Sequence, residues 1–325
     1  SIGVKPKKIS LARGGFNIFR DLIDLIRLSI VIKKIKPEIF IGYYIKPVIW
    51  GTLAAYFAKV PKRIVLIEGL GHIFTKSLLK KSLKISVLKF FISFLYRIAL
   101  FVSTTVFFLN NDDKEEFEQK NIIKIGKGHV LGAIGLKIEE WPNLEPITNP
   151  LNFLFIGRLI KEKGLGEFIQ AARIIKAKYP GVSFTALGKP ESREKEFTYS
   201  YLQKLDSEGF VRFPGFVNVR DWMKRSSVFV LPSYREGFPR SAQEAMASGR
   251  PVISTNAPGC RDTVIEGKNG FLIEVENVNA LVTAIEKFIL EPNSIIFMGR
   301  ESRLIAEKKF DASEINKKIF KAASI

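Results

Sequence analysis

Apolar positions along the chain follow two periods in turn. Residues 17–35, NIFRDLIDLIRLSIVIKKI, repeat at helical spacing, and EIFIGYY after Pro37 has the short β-rich character of a strand. A helix around 47–58, the strand RIVLIE (63–68), a long basic helix over 78–100 and a strand over 104–109 follow. Residues 139–150, EEWPNLEPITNP, hold three prolines and no period, which predicts a linker. A second run then begins. LNFLFIG, VSFTALG, VRFPGFV, VFVLPS and PVIST are strands, and GEFIQAARIIKAKY and SAQEAMASG are helices between them.

Strands alternating with helices predict parallel sheets, and two such runs about a proline-rich break predict two α/β domains. The expected division is a first domain over 1–138, a linker over 139–150, a second domain over 151–290, and C-terminal helices over 291–325 that return to the first domain. The first run is short for an open α/β sheet, so the first domain is expected to be incomplete at its N-terminus. About 50 residues, one or two βα units, would complete it.

One stretch, FFISFLYRIALFVSTTVFFL (90–109), has the length of a membrane span. Arg97 at its centre would cost about 2.5–3.5 kcal/mol. The β-branched, aromatic TTVFFL follows a Ser-Thr break, so helix then strand is the better reading.

Composition adds one strong constraint. The 325 residues carry 51 Lys+Arg against 32 Asp+Glu, a formal charge of +19, which calls for an anionic partner: a phosphorylated substrate, a membrane surface or nucleic acid. The single cysteine, Cys260, can form no internal disulfide, as expected in a reducing compartment. The chain starts Ser-Ile-Gly with no signal-peptide pattern, and the expected location is cytoplasmic.

The candidate chemistry lies at strand ends in the second run. In YREGFPRSAQEA, Glu236 follows the strand VFVLPS, Pro239 stands where a helix can begin, and Glu244 falls in that helix's second turn. A helix start offers free N–H groups and partial positive charge to a phosphate or a sugar hydroxyl. Gly237 lets a ligand approach the backbone, and a carboxylate at Glu244 can accept two adjacent ribose hydroxyls. Arg158 and Lys163, in FIGRLIKEKGLGEF, stand at the end of the first strand of the same domain, where they can take up phosphate charge. No Asp-x-Asp metal motif occurs, because Asp112 and Asp113 are adjacent, so no metal is expected and two cations take its place.

GRLIKEKG, FPGFV, REGFPRSAQEAMASGRPVISTNAPGCRDTV and GKNGFLIEVEN resemble the C-terminal domain of glycosyltransferase family 4, retaining enzymes of the GT-B fold. LARGGFNIFRDLIDLIRL, IKPEIFIGYYIKPVIWGTLAA and EGLGHIFT resemble, more weakly, bacterial members that build capsule, O-antigen and lipid-linked glycans. The resemblance implies two Rossmann-like domains facing a cleft. It assigns Arg158 and Lys163 to the donor diphosphate and Glu244 to the ribose. Glu236 and the backbone of Gly237, Phe238 and Pro239 would hold the transferred sugar. Gly215, Phe216 and Val217 would lie against the base, expected to be uracil. Gly69 and Gly71 would form the acceptor-side loop, with His72 hydrogen-bonded to a sugar hydroxyl. His129 is expected to be structural, and Arg240 is a candidate for an acidic sugar.

Two features depart from the family pattern. Its glycine-rich first loop has no counterpart, and Lys137 stands where the family often has an Asp. The implied reaction uses a UDP-sugar and no cofactor, and it transfers a hexosyl or N-acetylhexosaminyl group with retention. The acceptor would be a glycan or a polyprenyl-diphosphate-linked glycan, at an anionic membrane surface through the basic helix 78–100. A sugar-nucleotide epimerase of the same fold, or a non-catalytic basic protein binding nucleic acid or membrane, are the alternatives. The chain shows neither a G-x-G-x-x-G nor a nucleic-acid recognition motif, and no nucleic-acid partner is expected.

Overall fold

The computed structural model describes residues 9, 17–70, 83–191 and 195–325. They divide into two compact units. The first holds the described residues up to 131 together with 318–325, and the second holds those between 132 and 317.

The first unit is built on a parallel sheet in the order β1 (Ile39–Tyr43), β2 (Lys62–Ile67), β3 (Thr105–Phe108), β4 (Gly128–Val130). Strands consecutive in sequence are neighbours in the sheet. Right-handed crossovers therefore put the connections on one face. These are a π-helical turn at Pro47–Gly51 continuing into α2 (Thr52–Phe57), then α3 (Leu83–Val102) and α4 (Asn111–Gln119). They share a core of Trp50, Val65, Ile92, Tyr96, Val106 and Phe117. Phe117 takes the rings of Tyr96 and Phe108 edge-on at 5.2 and 5.5 Å.

The helix α1 (Ile18–Ile35) starts where the Asn17 side chain accepts from the Arg20 amide. Its inward face is unexpected: Asp21 and Asp24 are buried while Phe19 and Ile26 face out. Lys46 explains the first, donating to Asp21 at 2.7 Å, since a buried carboxylate must have a partner.

In the second unit the parallel sheet runs β10-β9-β8-β5-β6-β7. The strands are β5 (Asn152–Ile156), β6 (Ser183–Leu187), β7 (Arg212–Gly215), β8 (Val228–Leu231), β9 (Val252–Thr255) and β10 (Gly270–Ile273). Strands β8 and β9 are buried along their whole length, as strands covered on both faces must be. The helices are α5 (Leu165–Lys178), α6 (Tyr199–Ser207), α7 (Val219–Met223), α8 (Arg240–Ala247), α9 (Val278–Leu290) and α10 (Asn293–Lys309). The chain enters mid-sheet at β5, moves outward through β6 and β7, and returns to β8 on the other side of β5. Connections after β5 and β8 thus diverge, which opens a crevice at the carboxyl ends of those two strands.

The proline-rich segment 139–150 belongs to the second unit rather than standing between two domains. Arg250, fully buried, donates through Nη1 to the carbonyl of Leu144 at 2.5 Å, and Arg303 does the same for Trp141 at 2.5 Å. Prolines deny the segment regular structure, but its carbonyls still need donors, and two arginines supply them. The last helix, α11 (Ala312–Ala323), runs from the second unit into the first, where Lys62 bonds the Ser324 carbonyl. Among the described residues no helix is long and apolar enough to cross a membrane. The stretch 90–109 is the end of α3 followed by β3.

Candidate functional site

The crevice between β5 and β8 brings two of the residues expected from the sequence, Lys163 and Glu236, into contact. Lys163 ends a short 3-10 turn, Lys161–Lys163, the first element after β5. Its ammonium makes a short ion pair with the Glu236 carboxylate, which comes from the loop after β8. Both side chains are largely buried. Sequence places these two 73 residues apart, and the topological switch brings them into contact.

Two glycines make that approach possible. Gly164 has φ +71°, and a Cβ there would lie 2.1 Å from the Pro232 carbonyl oxygen at the end of β8. Gly259 has φ +71°, and its Cβ would lie 2.2 Å from the Glu236 carbonyl oxygen. Only glycine tolerates both the left-handed backbone and the contact. The Glu236 amide donates to the Pro258 carbonyl at 3.0 Å, so the turn before Gly259 holds the Glu236–Gly237 loop from the other side.

Pro239 caps α8 with extended backbone (φ −66°, ψ 117°), and the helix begins at Arg240. Phe238 turns its ring inward against Phe310, centroids 5.4 Å apart, so only its backbone is available to a ligand. Glu244 lies one turn into α8, and its side chain is 13% exposed. Burial raises its carboxyl above the ordinary glutamate range, and a hydrogen bond from Arg240 Nε at 2.9 Å works in the opposite direction. Arg240, the candidate contact for an acidic sugar, is hydrogen-bonded to Glu244 through Nε.

Arg158 stands just past β5, where its Nη1 meets Glu191 Oε1 at 2.5 Å, both side chains about half exposed. Glu191 follows β6, and nothing local in the sequence marks an acid as the partner of an arginine 33 residues away. Gly215 ends β7 with φ +83° and open space around its Cβ position. The neighbouring Phe216 is 79% exposed, with the Lys189 ammonium 5.0 Å from its ring centroid. An exposed ring beside a cation at the same sheet edge offers a stacking surface for a planar base. Val217 lies half-buried beside it.

Cys260 is fully buried against this loop, and burial, then the Glu236 charge, pushes its thiol up to about 12. Tyr234 donates to Glu167 Oε1 at 2.6 Å and shapes the same loop.

In the first unit Gly69 follows β2 with φ +134°. Glu68 beside it is half-buried and its carboxyl is raised by burial, a feature the sequence pattern did not single out. Gly71 and His72 lie outside the described residues, as do Lys80 and Lys81 of the basic helix. His129 sits on β4 with its ring 5.8 Å from Phe107, a packing contact. Lys137 is exposed and pairs with Glu140 at 3.6 Å. Among the described residues no three His, Cys, Asp or Glu side chains are grouped as metal ligands.

The family model described as Glycosyl transferases group 1 matches residues 137–308, and one described as Glycosyl transferase 4-like matches 7–110. The capsular polysaccharide biosynthesis glycosyltransferase CapM of Staphylococcus aureus is 30% identical over 311 residues, 92% of this chain and 79% of that one. The N,N'-diacetylbacillosaminyl-diphospho-undecaprenol alpha-1,3-N-acetylgalactosaminyltransferase of Campylobacter jejuni is 27% identical over 86% of this chain and 75% of its own. The UDP-Gal:alpha-D-GlcNAc-diphosphoundecaprenol alpha-1,3-galactosyltransferase of Escherichia coli is 29% identical over 83% and 70%. Among solved structures, Anabaena Alr3699/HepE in complex with UDP superposes with a TM-score of 0.76 at 19% identity, covering 93% of this chain and 82% of that one. With one family model over more than half its length and a relative 30% identical across nearly all of it, the chain belongs to the group 1 glycosyl transferases, of family 4 type and GT-B fold.

Proposed function

We propose that this glycosyltransferase moves a sugar from a UDP-sugar to a lipid-diphosphate-linked or other glycan acceptor, with retained configuration and without a metal. The carrying observation is the contact of Lys163 with Glu236 in the switch-point crevice, beside the start of α8. Cation, acid and helix N-terminus together match a sugar diphosphate: the phosphates are anionic and the sugar offers hydroxyls.

On this reading the donor exchanges partners within the crevice. The Lys163 ammonium moves from Glu236 to a phosphate oxygen, and the freed carboxylate accepts hydroxyls of the transferred sugar. Arg158 adds a second cation, and Glu244 accepts the ribose hydroxyls. Gly215, Phe216 and Val217 face the base, and Gly69, Gly71 and His72 face sugar and acceptor. The acceptor hydroxyl attacks the anomeric carbon on the face that the diphosphate leaves. The bond from that carbon to the phosphate oxygen breaks, a bond to the acceptor oxygen forms, and the proton passes to the departing phosphate. Lys163, Arg158 and the α8 amides stabilise the developing charge. No carboxylate is assigned as a covalent nucleophile, unlike the paired acids of retaining hydrolases.

The names of the relatives support the donor and acceptor classes. The E. coli relative is named for UDP-Gal, two relatives for diphospho-undecaprenol acceptors, and HepE was crystallised with UDP and with UDP-glucose. The inner face of the cytoplasmic membrane is the location that fits such an acceptor. Neither an epimerase reaction nor nucleic-acid binding is favoured by any contact in the crevice.

The test is thermal stability with UDP, GDP and ADP in the absence of magnesium, for the wild type and Glu244→Ala. A nucleotide at 100 times its Kd stabilises by about 2.7 kcal/mol. A shift with UDP alone that disappears in the variant supports the site and the base. Equal shifts with all three overturn uracil selection, and no shift with any overturns the donor site.

A further inference from the structure

The second unit holds a cavity of about 290 Å³ that none of the residues assigned to the donor lines. It lies between the proline segment, α7 and Ser248 at the C-terminal cap of α8. Its size is close to the lower end of the range for small-molecule sites, about 300–1,000 Å³.

One buried arginine fixes the walls. Arg250 donates to the carbonyls of Leu144, Met223 and Ser248, one from each of the three elements, and all three residues line the cavity. A planar guanidinium holds its acceptors in a set arrangement, so the space is formed before any ligand arrives.

The lining says what kind of ligand fits. Trp141 and Met223, both buried, give it an apolar face together with Leu144. Two acid–cation pairs complete it. Arg220 Nη2 meets Glu140 Oε2 at 2.8 Å, with its guanidinium 5.1 Å from the centroid of the Trp141 ring. Lys224 Nζ stands 3.8 Å from Asp221 Oδ1. All four charged side chains are about half exposed, and pairs so exposed are weak enough to turn toward a ligand. Each pair offers donors and acceptors side by side, which is the complement of neighbouring hydroxyls. Among these side chains two acids balance two cations, although the chain as a whole carries +19. A phosphate or nucleotide therefore meets as much repulsion as attraction. A pyranose is neutral, presents hydroxyls at its edge and C–H groups on its face, and matches both parts of the lining.

We propose that this cavity is a saccharide-binding site separate from the donor crevice, taking one neutral sugar ring of a glycan. The ligand class follows from the lining; only its purpose, retention of a glycan, rests on the proposed function.

The test is saturation-transfer difference NMR of the full chain with the methyl glycosides of galactose, N-acetylgalactosamine and N-acetylglucosamine, with and without UDP. At least one glycoside is expected to bind, and UDP is expected not to displace it. Glu140→Ala and Asp221→Ala each remove a half-exposed acid and should weaken binding about tenfold, while the thermal midpoint and the UDP-induced shift stay at wild-type values. Glu236→Ala, which removes the acid of the proposed donor-sugar contact, should leave the sugar affinity unchanged. No binding of any glycoside, displacement by UDP, or wild-type affinity in both the Glu140 and Asp221 variants overturns the assignment. So does binding that Glu236→Ala abolishes, because the donor crevice is then the site. Sugar binding that the Glu140 and Asp221 variants lose, with no UDP shift in the wild type, overturns the donor site and leaves this cavity standing.

Discussion

Glu244 sets stability against the proposed ribose contact at the scale of one side chain. Its carboxyl is raised by burial, so the native state holds a proton more tightly than the unfolded chain does. The sign follows: between the ordinary value of 4.5 and the raised native value, stability falls as pH rises, and the cost remains above that window. Glu244→Gln is therefore expected to be at least as stable as the wild type at pH 7. The difference should shrink toward zero as pH drops below about 4.5, which urea titrations across pH will read. The same variant should lose the UDP-induced shift. Cys260 makes a second residue-scale expectation. A fully buried thiol held up to about 12 is neutral and shielded, so iodoacetamide should label it only in denaturant, a result mass spectrometry reads directly. The roles of Glu236, Glu244, Arg158 and Lys163 were suggested by residue type and spacing. Their pairings were not. Glu191 as the partner of Arg158, and Arg240 as that of Glu244, depend on side-chain directions that a linear pattern does not carry.

At the scale of elements, the junction between the start of α5 and the end of β8 sets the crevice. Gly164→Ala combines a left-handed backbone with a Cβ driven into the Pro232 carbonyl. We expect a loss of about 2–5 kcal/mol in urea unfolding. Gly181→Ala is the control, since its Cβ meets nothing within 4 Å and no unusual φ is recorded there, and it should change stability by less than about 0.5 kcal/mol. Strands and helices of the second unit were legible because continuous apolar runs and helical periods rarely arise otherwise. The inward Asp21 of α1 was not legible, because its period fits two faces equally well and only Lys46 decides between them.

For the whole molecule, the segment 139–150 is where pattern and structure diverge most. Three prolines without a period read as a free linker, yet Arg250 and Arg303 fasten it to the second unit. Arg250 also donates to the carbonyls of Met223 and Ser248 at 2.9 Å each. Arg250→Leu removes the arginine donor from the carbonyls of Leu144 and Ser248, while Met223 keeps the Ser226 amide and hydroxyl. It is expected to cost about 3 kcal/mol and to make 139–150 the first site cut in limited proteolysis, while the wild type resists there. By itself the sequence determined two parallel α/β sheets, the family, and the residue types proposed to meet a sugar nucleotide, because these follow from local period and from short contiguous motifs. The tertiary structure alone decided two things: that the Lys163 and Glu236 loops share one crevice, and that the proline segment is anchored. Each depends on contacts between residues tens of positions apart, and strand order and side-chain direction, unlike hydropathy, are not local properties of the chain.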